Sequence, residues 1–258
     1  MVKQVISFAS RFIPRHYQQI VAAFMLRTVA IFYRGNVFED PISGKKYRKL
    51  LPYGRLQSRS NALAPHSLSL ERHRLMWLYL KNRTDFFTSP KCVLHIAPEF
   101  CFIKPFKKLE NLDYVTADLI SPWADVKMDV QSIPFPDSSF DVVICNHVLE
   151  HVDDDMKAMH ELYRVMKPGG FGIFQVPLDS SIDATLEDKN INTPELREKF
   201  YKQRDHLRLY GRDYGKRLSD AGFEITEDNY VQTLPRELVQ KYALPKDEIL
   251  YICKKVKS

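Results

Sequence analysis

A chain of 258 residues, 45% hydrophobic and 27% charged, is long enough for one complete α/β core with roughly 50 to 90 residues left over. Its formal net charge of +6 is unevenly placed: Lys3, Arg11, Arg15, Arg27 and Arg34 precede the first acid, Glu39, and the remainder is close to neutral. That placement excludes a general nucleic-acid-binding surface, which needs basic clusters along the body. The cysteines Cys92, Cys101, Cys145 and Cys253 have no close pairing, which argues against a disulfide framework and for a reducing, cytoplasmic setting.

Along the chain, Tyr17, Ile20, Val21, Phe24, Met25, Thr28, Ile31 and Phe32 fall on one helical face and predict an amphipathic helix within a basic arm, residues 1–38. Two uses of that helix stay open, packing on the core or a second subunit, or peripheral contact with an anionic membrane. Arg11 and Arg15 interrupt the apolar stretch, so no secretory leader is expected. Residues 20–32 are too short and too charged to span a bilayer. Residues 39–66 form a turn-rich module with two similar corners, Asp40-Pro41-Ile42-Ser43-Gly44 and Ala64-Pro65-His66-Ser67. A helix follows over 70–80, with Leu75, Trp77, Leu78 and Leu80 as its apolar surface.

Strands are predicted over 93–97, 114–117, 126–128 and 142–145, the last inside a continuous apolar run from Phe140 broken only by Asp141. Asp153 to Asp155 supply N-terminal capping for a helix carrying Met156, Met159, Leu162, Tyr163 and Met166 at helical spacing. Pro168-Gly169-Gly170 is expected to stop it before a fifth strand over 171–176. A polar insertion over 179–205 leads to a helix over 214–221, then to two last strands over 223–230 and 249–254. The fold class is α/β, a doubly wound sheet; seven strands, mostly parallel with an antiparallel edge strand, are what the resemblance described next implies.

The wording of residues 133–170 carries a resemblance. Ile133-Pro134-Phe135-Pro136-Asp137, the Asp141-Val142-Val143 strand, the Leu149-Glu150-His151-Val152 elbow and Arg164-Val165-Met166-Lys167-Pro168-Gly169-Gly170 resemble the class I S-adenosylmethionine-dependent methyltransferases. The match is closest to a type 11-like group acting on small molecules and lipids, and it covers residues 67–258 as one Rossmann-like domain. The resemblance extends to the two corners over 39–66, which have the outline of zinc-ribbon knuckles with every thiolate missing, ahead of Ser69-Leu70-Glu71-Arg72-His73-Arg74. A structural zinc needs four good ligands, so the module is read as a ribbon without its metal, held by Tyr47, Leu50, Leu51, Tyr53 and Leu63. No metal site is expected anywhere in the chain.

The resemblance also implies a cofactor, S-adenosyl-L-methionine, lying beyond the carboxyl ends of the strands. The first loop, His95-Ile96-Ala97-Pro98-Glu99, departs from the usual acid-and-glycine motif and looks like a His-x-Ala-Pro-Glu variant of it. His95, Ala97, Pro98 and Glu99 are expected against the cofactor, with Glu99 meeting its cationic amino group. Asp118 is expected on the ribose hydroxyls, Asp129 and the Val130 backbone on adenine, and Asn146 and His147 beside the methionine part. Asp125 is the lesser candidate for the adenine acid.

For removal of a proton from the acceptor, His147, Glu150, His151 and His206 are the candidates, with His147 and His206 preferred. In the pattern Asp205-His206-Leu207-Arg208-Leu209-Tyr210-Gly211, Arg208 and Tyr210 are expected to bind the acceptor, or else an Asp205–Arg208 pair and an Asp213 cap simply order the loop. The function implied is methyl transfer to a small-molecule or lipid-like acceptor. The alternative is a non-catalytic member that keeps the fold as a binding or scaffold module. A nicotinamide-dependent oxidoreductase is disfavoured, because no Gly-x-Gly-x-x-Gly turn is present.

Overall fold

The computed structural model describes residues 25–54 and 58–256. The chain divides into two compact units, each assembled from separate stretches. The first takes in Met1–Phe87, Glu99–Lys108 and Tyr230–Glu248, and the second Thr88–Pro98, Leu109–Asn229 and Ile249–Ser258.

In the first unit, residues 25–29 are helical, and a 3-10 turn, Ala30–Tyr33, leads into β1 (Arg34–Glu39), which pairs antiparallel with β2 (Lys46–Tyr47). β3 (Leu51–Tyr53) and β4 (Arg59–Leu63) make a second antiparallel pair. Tyr17, Ile20, Val21 and Phe24 of the predicted amphipathic stripe lie outside the described residues. Within them Met25, Ile31 and Phe32 are exposed, and Ala30 is buried with Tyr47, Leu50 and Ala64. Tyr47 and Leu50 hold the module as expected, whereas Tyr53 is 47% exposed and gives it no core.

The two similar corners share one geometry. Gly44 N–H donates to Asp40 O at 2.8 Å and Leu68 N–H to Ala64 O at 2.9 Å, and Gly44 and Leu68 both take positive φ, 67° and 64°. At the first corner the buried Asp40 carboxylate gathers Ile42 N–H (3.2 Å), Ser43 N–H (3.3 Å), the Ser43 hydroxyl (2.5 Å) and the Ser69 hydroxyl (3.0 Å). The first corner is thus held by hydrogen bonds to one carboxylate. The helix α1 (Glu71–Arg83) buries Leu75, Leu78 and Leu80, and its Trp77 ring lies nearly parallel to Phe102 and Phe106 of α2 (Phe100–Phe106), at 4° and 5°.

The second unit holds the sheet: β5 (Lys91–Ile96), β6 (Leu112–Asp118), β7 (Val126–Lys127), β8 (Phe140–Asn146), β9 (Met166–Gln175), β10 (Glu224–Asp228) and β11 (Leu250–Lys254). The order across it is β10-β11-β9-β8-β5-β6-β7. Counted within the sheet from the opposite edge, that is 3-2-1-4-5-7-6. The pairs β5–β6, β5–β8, β6–β7 and β8–β9 are parallel, and β11 runs antiparallel to both β9 and β10. The antiparallel strand is therefore second from the edge. β8 is buried along nearly its whole length, which is why its sequence reads as one apolar run.

The helix α3 (Asp155–Val165) starts as its sequence requires: the Asp154 carboxylate accepts Lys157 N–H at 2.9 Å, and Ala158, Met159, Leu162 and Val165 face the core. Its end differs from expectation. β9 begins at Met166, directly after α3, and the Lys-Pro-Gly-Gly segment is a shift of register inside the strand, between Phe140↔Met166 and Val142↔Phe171. A Cβ at Gly170 would lie 2.8 Å from Asp141 O and 2.9 Å from Lys167 O, so the segment closes only with glycine there.

Arg164 explains why the first and last motif words occur together. Its guanidinium donates to Ile133 O, Phe135 O and the Asp137 carboxylate, each at 2.8 Å, and is held by Glu161 on the same helix. The polar insertion is anchored by bridges Leu178↔Tyr210 and Leu186↔Leu209 and carries α4 (Pro194–Tyr201), capped by Thr193. The last helix of this unit is α5 (Tyr214–Asp220). No helix among the described residues is long and apolar enough to cross a membrane.

Candidate active site

The registers of the parallel strands set Ile96 beside Ala117 and beside Cys145. The residues that follow, Ala97, Asp118 and Asn146, therefore stand side by side at the carboxyl ends of β5, β6 and β8. Strand order reverses here, since β6 lies on one side of β5 and β8 on the other, and such a switch point is where open α/β sheets bind ligands.

Two backbone features mark this edge. Ala97 takes φ 47° and His147 takes φ 55°, both in the left-handed region that side chains disfavour. Ala97 is pinned there by its N–H to Ala117 O (2.8 Å), and His147 by its N–H to Gln175 O (2.7 Å). The chain thus keeps the backbone path of a glycine at position 97 without the glycine. Ala97→Gly is expected to raise stability by about 0.5–1 kcal/mol, measured as a higher urea midpoint at unchanged slope. No gain would mean that the alanine is unstrained.

Asp118 Oδ1 accepts Ile120 N–H (2.8 Å) and Ser121 N–H (2.6 Å), while no bond reaches its Oδ2 among the described residues. Asp129 is exposed and holds Gln131, and Val130 is buried, leaving the loop backbone as the surface on offer. Asp125 is committed to Thr116, accepting its N–H (3.1 Å) and hydroxyl (2.7 Å). His95 is fully buried within β5, with Nδ1 2.8 Å from the Tyr114 hydroxyl on β6, so its side chain serves the sheet rather than a ligand. Pro98 ends this stretch of the second unit. Glu99 belongs to the first unit, where its carboxylate lies 3.9 Å from His73 Nε2.

Beyond β8 the chain bends through a short 3-10 turn, Leu149–His151, which buries Leu149 and Glu150. The four candidate proton acceptors meet around it. His147 Nδ1 lies 3.4 Å and His151 Nε2 3.9 Å from Glu150 Oε1, and the His151 and His206 rings meet edge to face at 4.9 Å. His206, 55 residues along the chain from His151, is held by Leu207 N–H donating to Glu150 O (2.8 Å). Burial lowers the His206 pKa below the ordinary histidine value, with the Glu150 charge pulling the other way.

Arg208 and Tyr210 need correcting as acceptor ligands. Both are buried and spend their donors inside the protein: Arg208 on the elbow carbonyls and Glu187, Tyr210 on the Asp155 carboxylate at 2.7 Å. The alternative Asp205–Arg208 pair is not formed either; Asp205 reaches His151 (3.8 Å), and Asp213 holds Thr185 instead of capping α5. Gln175 was missed. It joins the end of β9 to β11 through Ile249 O and Tyr251 N–H, both at 2.7 Å, while its own carbonyl seats His147. Its only signal was a polar residue closing an apolar strand.

Residues 105–174 match the family described as Methyltransferase domain. The chain is 44% identical over 64 residues to the ubiquinone/menaquinone biosynthesis C-methyltransferase UbiE of Pseudoalteromonas translucida, covering 25% of this chain and 24% of that protein. It is 48% identical over 42 residues to the uncharacterized methyltransferase C1B3.06c of Schizosaccharomyces pombe, covering 16% and 15%. The chain thus spans a quarter or less of the length of these curated relatives. A solved S-adenosylmethionine-dependent methyltransferase from Archaeoglobus fulgidus is similar at 18% identity and a TM-score of 0.44, over 70% of this chain and 93% of that one. The sheet, ordered 3-2-1-4-5-7-6 with its seventh strand antiparallel, has the Rossmann-like class I methyltransferase fold, and the match to the methyltransferase domain runs from β6 into β9 of it.

Proposed function

We propose that this chain transfers a methyl group from S-adenosylmethionine to a small-molecule or lipid-like acceptor. The observation that carries the reading is the convergence of Ala97, Asp118, the Asp129–Val130 loop and His147 at the switch point of one sheet. When bound, the cofactor supplies a methyl group on a sulfonium that is a good leaving group. The residues present suit it. Asp118 is oriented by two backbone bonds and keeps Oδ2 open for ribose hydroxyls, and the left-handed Ala97 carries the first loop along a glycine-like path.

His147 is the side chain best suited to take a proton from the acceptor. Its Nδ1 faces Glu150, and its Nε2 is buried with no partner among the described residues. A lipid-like acceptor is supported by the relatives named for ubiquinone/menaquinone biosynthesis and by the exposed Met25, Ile31 and Phe32. Nucleic acid is not proposed as a substrate.

Calorimetric titration with S-adenosylmethionine and S-adenosylhomocysteine, with NAD as control, tests the reading. Micromolar binding of the two sulfur compounds alone is expected. Silence at millimolar ligand would overturn it and leave a non-catalytic scaffold on the same fold. Asp118→Ala should weaken binding by about 1–3 kcal/mol through lost charge-assisted hydrogen bonds; unchanged affinity would remove Asp118 from the ribose.

A further inference from the structure

The elbow after β8 contains more ligating chemistry than one proton transfer uses. Glu150, His151 and His206 each offer a donor atom, and these atoms all lie within 4.8 Å of one another. Glu150 and His206 are 1% and 2% exposed. Glu150 Oε2 and His206 Nε2 are buried and have no hydrogen-bond partner among the described residues. Unsatisfied buried polar atoms are rare, and each asks for a ligand, a proton or a water.

The arrangement of the two imidazoles favours a metal ion. His206 Nδ1 faces Tyr201 O and His151 Nδ1 faces Asp205 O, both at 3.1 Å. A carbonyl only accepts, so each Nδ1 donates, and each neutral ring presents its Nε2 lone pair. Two such nitrogens then meet a carboxylate with no donor among them. Fixing one imidazole nitrogen on a backbone carbonyl so that the other can ligate is how proteins orient metal-binding histidines. The His151 side chain is 36% exposed, so the cluster is closed on the Glu150–His206 side and open on the other.

We propose that Glu150, His151 and His206 bind one divalent first-row transition-metal ion, with an open coordination position towards solvent. One carboxylate and two imidazoles suit zinc or manganese better than calcium, which prefers an all-oxygen shell. The site adjoins His147, so the open position falls where the proposed methyl acceptor would stand, and the role given to the metal rests on that reading. The acceptor class that fits carries an ionisable hydroxyl. With that oxygen on the metal, His147 Nε2 would take its proton, and the freed lone pair would form the bond to the methyl carbon of S-adenosylmethionine as the carbon–sulfur bond breaks, releasing the neutral thioether.

The test is metal binding by the full chain, stripped with chelator and titrated with zinc chloride and with manganese chloride, beside S-adenosylhomocysteine. One equivalent of metal at micromolar or tighter affinity is expected, weakened at least tenfold in Glu150→Gln and in His151→Ala. His151 is exposed, so its variant keeps the test sound even if a change at buried Glu150 disturbs folding, and His160→Ala, on the exposed face of α3, should bind as wild type. No binding at millimolar metal, or unchanged binding in His151→Ala, would overturn the site and mean that a proton fills the cluster. Metal binding without S-adenosylhomocysteine binding supports the site and removes the methyl-transfer reading. The reverse pattern overturns the site and leaves that reading intact.

Discussion

Replacing Arg208 with alanine should cost the fold about 3–5 kcal/mol, measured as a fall in the urea midpoint, which is a large share of the about 5–15 kcal/mol that holds a typical domain together. The side chain is 1% exposed and its donors are all engaged. Nη1 donates to Leu149 O (2.7 Å) and Val152 O (2.6 Å), Nη2 to Asp153 O (2.9 Å) and Glu187 (2.8 Å), and Nε to Glu187 at 3.3 Å. Asp155, 3.7 Å away, would lose one of its two cations and keep only Arg217. Removal therefore takes the donor from three carbonyls of the elbow that carries Glu150 and His151, and one of two cations from the buried Asp155 carboxylate. Arg208→Lys should recover little, because a point charge cannot span donors that a planar fork reaches at once. Arg208→Met restores volume alone and should stay close to alanine. A loss below about 1 kcal/mol would mean that water replaces the guanidinium, and the elbow would not depend on it.

Arg74→Ala should be comparably damaging, about 3–5 kcal/mol, but within the first unit. This arginine is fully buried and bonds four carbonyls from three segments: Nε to Tyr242 O (2.6 Å), Nη1 to Ala62 O (3.0 Å) and Ser69 O (2.9 Å), and Nη2 to Ala243 O (2.7 Å). Among the described residues its hydrogen-bond acceptors are carbonyls and the Ser69 hydroxyl, with no carboxylate. Burial pushes its pKa down, and the Asp40 and Glu71 charges oppose that shift. Asp40 acts through the Ser69 hydroxyl, so the arginine and the first corner form one network. Hydrogen exchange should report the loss in residues 59–74 and 236–243. Uniform loosening of the seven-stranded sheet instead would show that Arg74 is not a local clamp.

The sheet was legible because burial imposes a pattern on neighbouring residues. Phe140 to Cys145 reads as a covered strand, and Ala158, Met159, Leu162 and Val165 read as a helix face. Asp118 closes β6 and Asp129 follows β7, the places in the strand order that the sequence indicates for them. What failed to show was chemistry settled by residues far along the chain. Arg208 and Tyr210 read as acceptor ligands from their local pattern, yet Arg208 satisfies carbonyls 55 to 59 residues earlier. The Glu150–His151–His206 grouping was hidden in the same way, since nothing in local spacing brings His206 back to the elbow. The left-handed turn at Ala97 was equally invisible, because glycine advertises such a turn and alanine does not.

The place of β11 has a consequence for how the protein is made. The penultimate position in the sheet is filled by the latest of its seven strands in sequence, and among the described residues β10 pairs only with β11. A ribosome finishes β9 on the order of ten seconds before residues 250–254 emerge. Through that interval the growing chain presents an unpaired strand edge, the kind of template that recruits other chains. Gln175, whose carbonyl seats His147, also waits for its bonds to Ile249 and Tyr251. The end of the sheet that carries the candidate site is therefore completed by residues 250–254, and a chain halted before them keeps an open strand edge.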